Sequence, residues 1–352
     1  MASPESPPHS HPNAFARKVY NPLGFKKGYN FALWFCFGGA LLGFSLSRFM
    51  YLDFHGVYCS SNPRAANSAL PGECYYYLNF SRYKVGILLH LATILPACVL
   101  VVLQFTPFIR HKWIIFHRIN GYLVLILFLS STVGALMITR HAFGGGVDVQ
   151  SAIGALAIST VGSFVLSYIN VKRLQIEQHR AWMLRGWFYA GTIITARFIM
   201  IIATRIISTS DSYYTARPCA QLAYMHKTEA ATLESFPDCR DFFNGINPAK
   251  QVMVQASMTS GNVSELAASF GMNFGMAMWI GLWLHAIGVE VYLRLTPAEA
   301  ERLRKVSYQR QLEAGMQNPG RAGLTADRLG DSELWTPGEK NRMASDDTRV
   351  ED

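Results

Sequence analysis

The chain has 352 residues, half of them hydrophobic, only 16% charged, with a formal net charge of +9. Soluble domains are usually about 25% charged, and the apolar residues here gather in runs of roughly 20, enough to cross ~30 Å of hydrocarbon. A soluble globular domain and a disordered chain are both excluded. Because Lys and Arg lie in short loops between the runs, the positive charge reports membrane orientation and not nucleic-acid binding.

Residues 1–28 begin with a Pro/Ser/His-rich stretch and continue with Arg17, Lys18, Lys26 and Lys27, which predicts a disordered basic N-terminal tail. Six apolar segments follow at about 30–50, 85–106, 119–139, 151–169, 187–207 and 270–292, each fitting a tilted transmembrane helix. The first is too long for the core of a cleaved signal peptide and reads as a retained signal anchor. Loop 107–118 carries three Lys/Arg and loop 170–186 four, whereas 140–150 has only Arg140. The basic loops stay inside, so an even number of spans puts both termini in the cytosol. Segments 51–84 and 208–269 become lumenal or extracellular loops. Residues 293–352 form a charged cytosolic tail, helical from Thr296-Pro297-Ala298-Glu299 to about Ala314 and disordered beyond. The expected fold is an all-α integral membrane bundle of six helices in a secretory-pathway membrane (endoplasmic reticulum, vacuolar or plasma).

Cysteines follow this division. Cys59 and Cys74 fall in the first outer loop and Cys219 and Cys239 in the second, where an oxidising lumen favours two disulfides. Three pairings are possible; pairing within each loop closes a short ring and is preferred. Cys36 and Cys98 lie in spans and pack as small apolar groups. Two glycosylation sequons, at Asn79 and Asn262, also fall in the outer loops.

Polar residues inside spans mark candidate sites, because hydrocarbon offers them no hydrogen bonds. Arg197 lies ten residues into the fifth span, near the midplane, at a cost of about 2.5–3.5 kcal/mol unless it faces a partner or a polar cavity. Glu290, at the inner end of the sixth span, is its only obvious intraspan carboxylate candidate. His179 precedes Arg197 by five helical turns and shares its face if the helix is unbroken, with Met183, Gly186 and Ala190 along the same stripe. His90 and Gln104 share a face of the second span, which Pro96 is expected to kink. His285 lies in the sixth. His117-Arg118 and His179-Arg180 echo one another at two inner helix starts.

These motifs resemble a family of predicted multi-pass membrane proteins catalogued as domain of unknown function 2306. The likeness covers about 85–291 and rests on Leu89-His90, Leu103-Gln104-Phe105, His117-Arg118 with Gly121, His179-Arg180 with Trp182-Met183 and Arg185, then Arg197, Trp283 and Glu290. The resemblance implies a membrane bundle without established chemistry. It also implies kinship with fungal members, some of which occur beside secondary-metabolite pathways.

No metal-ligand spacing, phosphate loop, nucleophile elbow or dinucleotide fingerprint is visible. The first functional reading is an enzyme or accessory of fungal secondary metabolism that binds a hydrophobic small molecule. His90, Gln104, Arg197, His285 and Glu290 would line its site, and His90, His179, Arg197 or Glu290 would supply the chemistry. The second is a b-type haem electron carrier with His117 and His179 as ligands. The third is a non-catalytic transporter, receptor or scaffold.

Overall fold

The computed structural model describes residues 14–60 and 67–338. It is an all-α membrane protein with six helices long and apolar enough to cross a membrane: Gly28–Leu52, Ser81–Gln104, Ile114–Ile138, Val147–Lys172, Ile176–Ile207 and Val263–Arg294. In chain order the elements are α1 (Ala14–Tyr20), α2 (Gly28–Leu46), α3 (Glu73–Asn79), α4 (Ser81–Gln104), α5 (Pro107–Lys112), α6 (Ile114–Ile138), α7 (Val147–Lys172), α8 (Ile176–Ala190) and α9 (Thr192–Ile207). There follow β1 (Tyr214–Pro218), α10 (Cys219–His226), α11 (Glu229–Ser235), α12 (Arg240–Phe243), β2 (Gln251–Gln255), α13 (Val263–Arg294), α14 (Pro297–Glu313) and α15 (Ala326–Leu329). The two strands pair antiparallel, Tyr214 opposite Gln255 and Pro218 opposite Gln251.

Each spanning helix matches its predicted apolar run but is longer at one or both ends. The fifth differs most. It starts at Ile176, eleven residues before the predicted 187, so Arg180 and Arg185 belong to the helix and not to a loop. It is also interrupted at Gly191, between α8 and α9, so the unbroken helix from His179 to Arg197 is not found. α4 runs on through Pro96.

The chain divides into two compact units. The first comprises the residues up to Gln150 and Met200–Phe274, the second Ser151–Ile199 and everything from Gly275. In the first unit the tightest helix pair is α4 with α6. A Cβ on Gly134 would lie 2.6 Å from the Gly86 carbonyl oxygen and 2.7 Å from the His90 nitrogen. Only glycine permits that approach, the usual device of membrane helices, which gain little from burying apolar surface against each other. The buried face of α6 is Asn120, Val124, Phe128, Ser131, Gly134 and Ile138, while Ile119, Ile126, Leu129 and Val133 are exposed. The polar and small residues thus lie on the inward face among apolar ones, while the outward side chains just named are all apolar, as lipid solvation requires.

The extramembrane segments of this unit form cores around two disulfides, Cys59–Cys74 and Cys219–Cys239. Pairing is within each loop, as the ring-closure preference predicts; Cys36 and Cys98 are free. Tyr58, Tyr77, Ile87 and Ile138 pack around the first bridge, and Leu222, Val254, Ala256 and Ala268 around the second. The loops assigned to one side by the charge rule touch one another. Tyr75 meets Tyr224 at 6.1 Å between ring centroids, Tyr76 stacks on His141 at 3.8 Å, and Glu73 accepts the Phe143 N–H at 2.7 Å. Burial, reinforced by Arg140, holds the His141 imidazole below its ordinary pKa. Of the two sequons, Asn79 is exposed at the end of α3, whereas Asn262 is half-buried and accepts the Ser264 N–H at 2.8 Å.

Both polar ends are more ordered than composition predicts. At the N-terminal end, residues 14–20 form α1, and the Leu23 carbonyl accepts the Phe108 N–H at 3.0 Å; residues 1–13 lie outside the described residues. In the second unit, residues 315–335 fold back on α14 and the α7–α8 turn. Gln175 and Gln311, both fully buried, act as a clamp: Gln175 Nε2 donates to the Gly320 carbonyl at 3.0 Å, and Gln175 Oε1 accepts Gln311 Nε2 and the Gly323 N–H, each at 2.9 Å. Asn170 Oδ1 accepts the Leu324 N–H at 2.8 Å. Arg304 closes the fold with both Asp327 oxygens at 2.7 Å. Order beyond Ala314 comes largely from these hydrogen bonds and the Arg304–Asp327 pair, with the Trp335 ring packed beside Tyr308; the disorder expected there is not found as far as residue 338, and 339–352 are outside the described residues.

Two predictions follow from these packings. Cys59→Ser and Cys219→Ser should each lose about 3 kcal/mol, the worth of closing loops this short. Melting of the solubilised chain should reveal it, with Cys36→Ser unchanged; equal melting of all three variants would refute the disulfide contribution. The second concerns pH. Burial alone would raise the Asp327 pKa, but hydrogen bonds from Arg304 and the Trp335 N–H outweigh it and hold the carboxyl below its ordinary value. A depressed carboxylate contributes stability that is complete above the unfolded pKa, about 4, and is lost as pH falls through the folded one. Amide protection factors over residues 320–335 should therefore hold from neutral pH to about 4 and fall below it, and in Asp327→Asn they should be low throughout.

Candidate functional site

Intraspan polar residues form one cluster group in each unit. In the first, the Gly86–Gly134 approach brings the His90 imidazole to Ser131, with Nδ1 2.8 Å from Oγ. Fourteen residues on, at the other end of α4, Gln104 Nε2 donates to the His117 carbonyl at 2.9 Å, and Gln104 Oε1 accepts Asn120 Nδ2 at 2.8 Å. Gly121 leaves room for this: a Cβ there would be 2.9 Å from Gln104 Nε2. His90 and Gln104, predicted on one face, both address α6.

In the second unit α8 carries charge into the span. Arg185 grips Glu290 of α13 with two parallel hydrogen bonds, Nε to Oε1 at 2.6 Å and Nη2 to Oε2 at 3.1 Å. The guanidinium carbon also lies 4.5 Å from the centre of the Trp182 ring. Five residues earlier, Arg180 donates to the Tyr292 hydroxyl at 3.2 Å. This corrects the sequence-based partner for Glu290. Its fork is filled by Arg185, which basic-loop counting had assigned to a loop; Arg197 lies half-buried in α9. The planar, delocalised guanidinium suits such a bidentate grip inside a span, where a lysine would make a single point contact.

Above this pair lies the Gly191 interruption. His285 of α13 places Nε2 2.7 Å from Thr195 Oγ1, and a Cβ on Gly191 would sit 3.1 Å from His285 Cε1. The neighbouring Thr192 is fully buried, and its Oγ1 has no hydrogen-bond partner among the described residues. An unsatisfied buried hydroxyl costs about 1–3 kcal/mol. Toward the other end of α8, His179 Nδ1 is 2.8 Å from Ser167 Oγ, and Gly186 packs on the Phe164 ring, so the small-residue stripe predicted here does admit a neighbour. Thr195, Ser131, Asn120 and Ser167 were invisible as site residues because a lone hydroxyl or amide in an apolar run carries no pattern.

Residues 87–225 match the family model DUF2306, a predicted membrane protein. The resemblance drawn from the motifs therefore holds, and the DUF2306 match spans α4 through α10. The chain is also similar to Ava biosynthesis cluster protein G of Aspergillus versicolor, 26% identical over 329 residues covering 81% of this chain and 94% of that protein. No solved structure gives a significant match. Glu290 and His285 lie on α13, outside the region that the DUF2306 model matches, whereas Arg185 and Thr195 lie inside it.

The reassigned ion pair makes its own prediction. Removing one partner strands a charge in the span, whereas removing both leaves an apolar contact. Arg185→Leu should lower stability by roughly 2–3 kcal/mol, and adding Glu290→Leu should recover most of it. Arg197→Leu should gain nothing from Glu290→Leu. Melting temperatures of the solubilised single and double variants decide the pairing.

Proposed function

We propose that this membrane protein binds an apolar metabolite bearing a polar group among the helices of its second unit, as an enzyme or accessory of a fungal biosynthetic pathway. The observation that carries the reading is the polar centre at the Gly191 interruption: the His285–Thr195 pair and the buried Thr192 hydroxyl, with the Arg185–Glu290 pair toward the inner end of α13. Interrupted membrane helices supply polar groups where transport and binding sites are built, and ionisable residues inside a span default to functional roles. His285, with a hydroxyl on one nitrogen, is the proton donor or acceptor of such a site. Glu290, its side chain 44% exposed and held by Arg185, is the anionic anchor. The relative's name, which places it in a biosynthesis cluster, supports the metabolic setting. Both termini would be cytosolic and the disulfide-bearing loops lumenal, in a secretory-pathway membrane.

Deleting the gene in the producing fungus should abolish or redirect one apolar product. Reintroduced wild-type protein should restore it. His285→Phe, present in the membrane at normal abundance, should restore less than a tenth. Full restoration by His285→Phe would refute the site, and an unchanged metabolite profile in the deletion strain would refute the function. A Soret band in the solubilised protein, lost in His117→Ala and in His179→Ala, would replace this reading by haem-based electron transfer.

A further inference from the structure

The refolded C-terminal segment creates a second site of different chemistry. Residues 315–328 and the end of α7 enclose a cleft of about 650 Å³, lined by Arg173, Arg321, Arg328 and Asn318 together with Asp327. Ligand sites generally occupy about 300–1,000 Å³. The one carboxylate in the lining is already neutralised, since both Asp327 oxygens are held by Arg304. Arg328 is committed to the wall, its Nη1 donating to the Ala322 and Gly323 carbonyls. Arg173 and Arg321 differ. Both are half-buried at the cleft, and neither guanidinium makes a hydrogen bond or ion pair with the described residues.

The cleft is also rigid where it must be. Gln311 Nε2 donates to the Arg173 carbonyl at 3.0 Å and Gln311 Oε1 accepts the Gly320 N–H at 2.6 Å, so one buried amide ties both walls together. Two uncommitted guanidinium groups on a fixed frame match the doubly charged oxygens of a phosphate monoester, which arginine binds through its planar fork. Arg173 directly follows the last residue of the spanning helix Val147–Lys172. The cleft therefore lies at the depth of lipid headgroups, where basic pockets beside spans hold phosphorylated lipids.

We propose that this cleft binds a phosphate monoester carried on a polar headgroup, with Arg173 and Arg321 as its ligands. The test titrates the purified full chain in detergent with two probes, dioctanoyl phosphatidylinositol 4-phosphate and its free headgroup, inositol 1,4-bisphosphate. Dioctanoyl phosphatidylcholine serves as the control lipid. Saturable binding of the phosphorylated lipid, absent with phosphatidylcholine and weakened at least tenfold in Arg173→Gln/Arg321→Gln, is expected. Arg302→Gln, whose guanidinium is engaged by Glu299 at 2.8 Å, should bind as wild type does. Binding of the lipid but not of the free headgroup assigns the phosphate to the membrane; equal binding of both assigns it to a soluble ester. Should the double variant melt below wild type, Arg321→Gln alone is used, expected to weaken binding at least threefold. No binding of either probe, or binding that the Arg321 substitution leaves unchanged, overturns the proposal.

Discussion

A polar group inside a span needs a partner within the protein, on its own helix or on a neighbouring one, because hydrocarbon supplies none. The internal packing of each unit follows from that requirement. His90 meets Ser131, Gln104 meets Asn120, Ser167 meets His179, Thr195 meets His285 and Arg185 meets Glu290. None of these pairs forms across a gap wider than a hydrogen bond, so the helices must approach closely at particular heights. Gly86 and Gly134 allow it in the first unit, and Gly186 and Gly281 in the second, where a Cβ on Gly281 would lie 3.1 Å from Thr192 Cγ2. Small residues and polar pairs are therefore one device. The glycine sets the distance, and the pair selects the register.

The same device explains the repeated His-Arg step. His117 and His179 each occupy the fourth position of their helices, α6 and α8. In both, a side chain late in the preceding spanning helix donates to the histidine's own carbonyl: Gln104 Nε2 at 2.9 Å and Ser167 Oγ at 3.0 Å. The donor lies thirteen residues before the histidine in one case and twelve in the other. A short connection between antiparallel helices leaves the second helix's first turn beside the first helix's last turn, and a polar side chain there pins the two. The histidine is thus placed by its backbone, and in α8 its ring returns to the same serine, Nδ1 lying 2.8 Å from Ser167 Oγ.

Much of this was legible in the sequence, for reasons that differ by feature. Apolar runs of membrane length need no tertiary information, so all six spans could be read. The disulfides followed from short ring closure within each loop. Arg185 was misread because a basic residue near a span end looks the same whether it snorkels to the headgroups or reaches inward to a carboxylate; only the position of Glu290 on another helix decides. The C-terminal clamp was misread because composition rules equate polarity with disorder. Gln175, Gln311 and Asn170 show the exception, since buried amides with both ends satisfied can order a segment that has little apolar surface to bury.

Which polar cluster is left for function follows from the same accounting. Ser131, Asn120 and Ser167 serve pairs that also pin helices, and removing them would loosen the architecture before it touched any chemistry. The Gly191 interruption is different. There Thr192 keeps a buried hydroxyl that no described residue satisfies, beside a histidine whose Nε2 meets another hydroxyl, that of Thr195. A buried hydroxyl kept without a partner against its cost is a usual mark of a site shaped for something else to complete. The Arg185–Glu290 pair, one helix turn and a half along α13, gives such a ligand a charged end to read while its apolar body stays in the medium that the rest of the helix surface is built to meet.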